Sequence, residues 1–222
     1  LASLFDAGWD FTLYGEGFLA LAGDQTRYIT VDRLISQPPL DPDYVSVRNY
    51  VETILSGGGF DDGRMTPPEL AQILEDDCIK ALGLVNGINT DDNVALMYEV
   101  ADIRAWANLG LHLSEKIRGA VALQTFRMKG DEAEKQKAVV HLKKALAFWD
   151  DVIAITRPLY RDMPLTHYNG SSHDRNDNNL FHWERIRPEV GKDIETAMQA
   201  SSVVEKDACT IIVTRITCRV KL

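Results

Sequence analysis

The chain has 222 residues, 45% of them apolar and 26% charged, which suits a folded domain with a sizeable core. A formal charge of -9 argues against a broad nucleic-acid footprint, which needs clustered Lys and Arg, so no nucleic-acid partner is expected. No run of about 18 apolar residues is present, so no spanning helix and no membrane partner are expected either.

Taken in order, the first residues, LASLFDAGWD, have neither a basic leader nor a continuous apolar run, so they do not read as a secretory signal. The chain opens without methionine and in mid-pattern, as a piece of a longer protein would. It reads as soluble, and as exported or periplasmic if a longer form carries a signal. Trp9, Phe11 and Leu13 alternate with Asp10, Thr12 and Tyr14, a short strand pattern, and Gly15 and Gly17 then permit a turn. Phe18 to Ala22 is expected to start a brief helix, and Tyr28 to Val31 to be a short strand or extended arm. Pro38, Pro39 and Pro42 interrupt any regular element.

Asp43 is positioned to cap a helix over Tyr44 to Leu55, which Gly57, Gly58 and Gly59 end. Thr66, Pro67 and Glu69 form the clearest helix start in the chain: a capping hydroxyl, a proline at the first position and a carboxylate at the third. That helix is expected to run to about Leu82, with Leu70, Ile73, Leu74, Asp77, Cys78 and Ala81 on or near its inner face. Thr90 or Asp91 then caps the longest helical pattern in the chain.

The pattern over 92–157 is broken once, at Lys129-Gly130-Asp131. Its first half carries Val94, Met97, Val100, Ile103, Ala107, Leu111, Ser114, Ile117, Val121 and Thr125 at helical steps. Its second half carries Ala138, Leu142, Ala145, Leu146, Trp149, Val152, Ile153 and Thr156, and Arg157-Pro158 ends it. A break this short requires an antiparallel pair. Residues 158–181 are expected to be a long irregular loop with docked apolar ends. A last helix follows over about Trp183 to Ala200, with Ile186, Val190, Ile194, Ala197 and Met198 inward. In the tail, Ile212, Thr214, Ile216, Cys218, Val220 and Leu222 share one parity, a strand pattern.

The fold class read from these signals is mainly α: an antiparallel helix bundle with a few peripheral strands toward the N- and C-terminal ends. Three parts follow: 1–40 as a strand and loop segment, 41–200 as the bundle, and 201–222 as a strand-like tail.

Chemistry is less visible. Cys78, Cys209 and Cys218 are too dispersed for a disulfide framework or a metal pair and read as buried or partly buried thiols. His167, His173 and His182 fall in one stretch with Asp174 and Asp177, but the spacing matches no zinc pattern; His173, Asp174 and Asp177 are weak metal candidates only. Asp174, Asn176 and Asn178 imitate the start of a calcium loop, which fails at Asn179 and Arg185. No phosphate-cradling loop, nucleotide fingerprint or serine elbow is present, and no cofactor is expected. Trp9, Asp10, Tyr14 and Glu16, with His167 and Tyr168, are the candidate substrate contacts, because aromatic faces beside carboxylates suit sugar rings. No catalytic residue is assigned. On the long helix, Glu99, Asp102, Arg104 and Trp106 set polar groups beside apolar ones; a solvated face accounts for them, and a buried Asp102 paired with an arginine is the other reading.

Residues 120–146 look like a tetratricopeptide hairpin, in one copy. A broader likeness rests on GWDFTLYGEGFL at 8–19, YEVADIRAWANLGLHLSEKIRGAVAL at 98–123, LAFWDDVIAITRPLYRDMPLTHY at 146–168 and FHWERIRPEVGKDIE at 181–195. Together these resemble the helical region that follows the catalytic barrel in large bacterial glycoside hydrolases, broadly the α-glucuronidase group. The resemblance implies an accessory helical domain of a carbohydrate-active protein, which shapes the substrate cleft or stabilises the enzyme and lacks complete catalytic machinery. An oligosaccharide or an upstream catalytic domain would be its partner. The alternative is a helical scaffold for a peptide or protein, and a free-standing hydrolase comes third.

Overall fold

The computed structural model describes residues 19–22, 25–39, 41–166 and 175–203, and of 19–22, 25–27, 163–166 and 175–179 it describes the backbone. The fold is mainly α, an antiparallel helix bundle with peripheral strands. In chain order the elements are β1 (Leu19–Ala22), β2 (Gln25–Tyr28), α1 (Val31–Ser36), α2 (Val47–Leu55), α3 (Pro67–Val85), α4 (Val94–Lys129), α5 (Glu132–Thr156), β3 (Met163–Thr166), β4 (Arg175–Phe181) and α6 (Trp183–Gln199).

The α4–α5 hairpin is the frame. Asn93 caps α4 by accepting from the Leu96 amide at 2.9 Å, and Asp131 caps α5 by accepting from Ala133 at 3.0 Å. Between the helices Gly130 takes the left-handed conformation, φ 73°, that ends α4, where a side chain would be strained. The cap expected at Thr90 or Asp91 therefore lies two or three residues later. Every residue from Ala107 to Ile117 is buried, so mid-α4 is enclosed on all sides rather than along one stripe.

Around this centre, α3 packs through Leu70, Leu74 and Cys78, and the Ser114 hydroxyl donates to the Ala71 carbonyl at 2.6 Å. Thr66 opens α3 as expected: its amide and hydroxyl both donate to the Glu69 carboxylate, at 2.9 and 2.6 Å. The helix runs three residues beyond Leu82. Ile73 and Asp77, expected on or near the inner face, are both exposed, Ile73 at 39%. Helix α2 starts at Val47 rather than Tyr44, because Asp43 and Val45 bond the Met65 backbone, and Ser46 becomes the cap. Burial pushes the Cys78 thiol up to about 11, as expected of an inert interior thiol.

Three regions correct the sequence reading. Residues 31–36, read as an extended arm and loop, form the helix α1, where the Thr30 side chain caps the start by accepting from the Arg33 amide. The brief helix expected over Phe18–Ala22 is a strand over Leu19–Ala22, paired antiparallel with Gln25–Tyr28. So short a segment has little to offset helix nucleation, and a ladder partner, Gln25–Tyr28, is close by in sequence. The irregular loop expected over 158–181 contains a second antiparallel hairpin, in which Met163 faces Phe181 and Pro164 faces Leu180. In α6, Ile186, Val190 and Ala197 are buried, but Met198 is 58% exposed near the helix end. The strands expected at Trp9–Tyr14 and in the tail lie outside the described residues.

A buried polar knot joins four of these elements. Lys116 of α4 is 2% exposed; its Nζ donates to the Ile29 carbonyl and sits 2.9 Å from Asp193 Oδ2 of α6. Asp193 Oδ1 accepts from the Val31 amide at 2.7 Å, which fixes the start of α1. The Lys116 ammonium also lies 3.7 Å from the Tyr28 ring centre. Burial pulls the Lys116 ammonium below the ordinary lysine value, and Asp193 opposes that pull.

Beside the knot, His112 is enclosed between Tyr28 and Trp149. Its Nδ1 lies 2.9 Å from the Ala145 carbonyl, which only accepts, so Nδ1 carries the proton; Nε2 then accepts from the Tyr28 hydroxyl at 2.9 Å. The Trp149 indole is fully buried and donates to the Trp183 carbonyl at 3.0 Å. Glu115, buried on another side of α4, lies 2.6 Å from His141 Nδ1 of α5. Burial raises the Glu115 carboxyl, but His141, Lys144 and Arg118 outweigh it and hold the group below the usual range.

Two predictions follow from this packing. A Cβ at Gly119 would meet Leu142 Cγ at 2.9 Å, whereas at Gly191 of α6 nothing lies within 4 Å. In urea unfolding, Gly119→Ala is expected to lose about 1–3 kcal/mol by overpacking and Gly191→Ala to gain about 0.5–1 kcal/mol. Burial and Lys116 push His112 down to about 3 from an ordinary 6.5. The unfolded chain therefore takes up a proton below pH 6.5 that the native chain refuses. This contribution to stability is complete above that pH and is lost as the pH falls toward 3, about 5 kcal/mol in all as an upper bound. His112→Gln is expected to flatten the stability difference between about pH 7 and pH 4.5 by about 2–3 kcal/mol; equal slopes in the two proteins would show that His112 is not neutral in the fold.

Candidate functional site

All six sequence-predicted contacts, Trp9, Asp10, Tyr14, Glu16, His167 and Tyr168, lie outside the described residues, as do His173 and Asp174. Asp177 falls within β4. His182 is buried as the N-cap of α6, where its Nδ1 accepts from the Glu184 amide at 3.2 Å. Among the described residues no group of three or more His, Cys, Asp and Glu is placed to hold a metal ion.

The structure does assemble a site that the sequence marked only in part. Toward its N-terminal end α4 emerges from the bundle, and residues 101–104 are half-buried. There it runs beside the end of α5, since the two helices are antiparallel. After Arg157 the chain turns back: the Leu159 and Tyr160 amides both donate to the Thr156 carbonyl, at 3.1 and 2.9 Å. This turn lays Tyr160 against α4. Its ring lies 5.8 Å from that of Tyr98, tilted by 53°, and its hydroxyl donates to Asp102 Oδ1 at 2.5 Å. The hydrogen bond to Asp102, with its negative charge, pushes the Tyr160 phenol up to about 12, so it stays a donor. Tyr98, Asp102 and Trp106 follow one another at four-residue steps on α4, and Trp106 is 37% exposed. Asp102 thus pairs with a tyrosine, not with the arginine of the alternative reading.

The turn is held from behind. Asp162 accepts from Arg157 Nη1, and from Arg185 Nε and Nη2 of α6 at 2.8 and 2.6 Å. The two guanidinium groups keep its carboxyl below the usual range. Tyr160 is therefore carried by a turn tied to both α5 and α6.

Next to the aromatic pair lies a groove of about 300 Å³ lined by Ile88, Thr90, Met97, Val100, Ala101, Arg104, Ile155, Pro158 and Leu159. A second groove, of about 440 Å³, lies across the start of α3, lined by Phe60, Gly63, Arg64, Met65, Glu69, Gln72 and Ile73. Phe60 stacks on Tyr50 with centroids 5.8 Å apart, and the Arg64 guanidinium lies 5.6 Å from the Phe60 ring centre.

Helical spacing places Tyr98 on the Asp102 and Trp106 stripe, so that part was open to sequence reasoning. Tyr160 was not, because only the turn after α5 brings it there. No family model, no curated protein and no solved structure matches this chain. No helix among the described residues is long and apolar enough to cross a membrane.

The Asp102 bond can be tested by titration. At about pH 11 the Tyr160 phenol is expected to stay mostly neutral, and in Asp102→Asn to be mostly ionised, read from ring-carbon shifts of tyrosine-labelled protein. Identical titration in both proteins would remove the Asp102 contact.

Proposed function

We propose that the chain is an accessory helical domain of a carbohydrate-active protein, shaping a substrate cleft or stabilising a catalytic neighbour, without complete catalytic machinery of its own. The observation that supports this reading is the Tyr98, Tyr160 and Asp102 cluster. Two partly exposed phenol rings offer faces to the CH surface of a sugar, and a carboxylate beside them accepts from sugar hydroxyls. A turn braced by Asp162 holds these groups in place before any ligand arrives, which lowers the entropy cost of binding. An exported or periplasmic location belongs with this reading, as does an upstream catalytic domain as partner.

A second reading, a helical scaffold for a peptide, is favoured by the groove at the start of α3. Phe60, Met65 and Ile73 provide apolar anchors there, with Arg64 and Glu69 at hand for polar contacts.

Calorimetric titration with acidic and neutral oligosaccharides separates the two. Millimolar binding is expected, weakened about fivefold to tenfold in Tyr160→Ala. Trp9→Ala and His167→Ala report whether the sequence-predicted contacts take part. Binding unaffected by Tyr160→Ala would move the sugar site elsewhere on the chain. An absence of binding at millimolar sugar would overturn the carbohydrate reading and leave the α3 groove as the surface to examine.

A further inference from the structure

The groove beside the aromatic pair differs from it in chemistry. Its walls are aliphatic, from Ile88, Met97, Ile155 and Leu159, and a single charged side chain, Arg104, lines it. Arg104 is half-buried. The other half-buried arginines whose side chains are described hold carboxylates: Arg64 lies 2.7 Å from Asp62, Arg118 lies 2.6 Å from Glu75 and Arg127 lies 2.6 Å from Asp32. Arg104 has no ion pair or side-chain hydrogen bond among the described residues, and Asp102, two residues before it, is engaged by Tyr160. Arg48 and Arg161 also lack a carboxylate among the described residues, but both are exposed and solvated. A guanidinium partly withdrawn from water against aliphatic walls loses hydration that only an anionic acceptor restores well.

We propose that this groove binds a small carboxylate with a compact apolar body, the carboxylate seated on the Arg104 guanidinium and the body against Met97, Ile155 and Leu159. The planar fork of Arg matches a carboxylate through two parallel hydrogen bonds, and the Thr90 side chain stands at the same groove to offer a hydroxyl. Aliphatic walls select an apolar body over a sugar ring, which prefers the flat faces of the neighbouring tyrosines. A volume of about 300 Å³ is at the lower end for small-molecule sites and favours a free small acid over the end of a longer peptide. The site is independent of the carbohydrate reading: its failure leaves the aromatic cluster untouched, and the reverse holds too.

The test is an NMR titration of the full chain with 4-methylpentanoate, its neutral amide, and a tetrapeptide ending in leucine, following the Met97 methyl and the Arg104 side-chain signals. The acid is expected to shift both signals with saturation, and the amide to bind about tenfold to hundredfold more weakly. Arg104→Gln is expected to reduce acid binding to the level of the amide, and Arg104→Lys, which keeps the charge but loses the fork, to fall between. Arg48→Gln and Arg161→Gln are expected to change nothing. Equal binding of acid and amide by the unaltered chain would overturn the proposal without reference to any variant, as would no shift at tens of millimolar acid. Tighter binding of the tetrapeptide than of the free acid would overturn the small-ligand assignment.

Discussion

Lys116 and Asp193 meet inside the bundle with almost no access to water, and the rest of the architecture is arranged so that neither is left alone. The ammonium also bonds the Ile29 carbonyl and faces the Tyr28 ring, and the carboxylate also takes the Val31 amide. Burying an ion pair gains little net stability, but removing one partner strands a charge at a cost of about 3–5 kcal/mol. The pair therefore acts as a constraint on arrangement. It ties the segment before α1 to α4 and α6, three parts of the chain separated by long stretches of sequence. His112 and Trp149 extend the same logic toward α5 and α6, each through a hydrogen bond to a backbone carbonyl.

With its middle locked in this way, α4 is free to differ at its N-terminal end. Enclosed from Ala107 to Ile117, it is half-buried over residues 101–104, where α5 finishes. The surface groups of interest gather there: Tyr98, Asp102, Tyr160 and, in the adjoining groove, Arg104. The Asp162 clamp joins the turn after α5 to α6, so the aromatic pair is held by the same helices that enclose the knot.

The legible parts of the fold were those with local signatures. The capping group at Thr66 and Glu69, the break at Gly130 and the stop before Pro158 each depend on a few adjacent residues. The site was legible only along α4, where helical spacing aligns Tyr98, Asp102 and Trp106. Lys116 and His112 are instructive misses. Lys116 stands three residues after Leu113 and four before Ala120, on an apolar face, and that position was a signal. A charged residue there is usually solvated, and only its pairing with Asp193 makes burial tolerable.

By itself, then, the sequence determined the mainly α bundle, the antiparallel α4–α5 hairpin and most helix ends, because periodicity and caps act within a few turns. Tertiary structure alone decided that Leu19–Ala22 is a strand, that β3 and β4 form a hairpin, and that Ile73 and Met198 face outward. It alone brought Tyr160 onto Asp102 and left Arg104 without a carboxylate among the described residues. Those outcomes depend on which segments meet across long separations in the chain, where a ladder partner, a counter-ion or its lack outweighs local propensity.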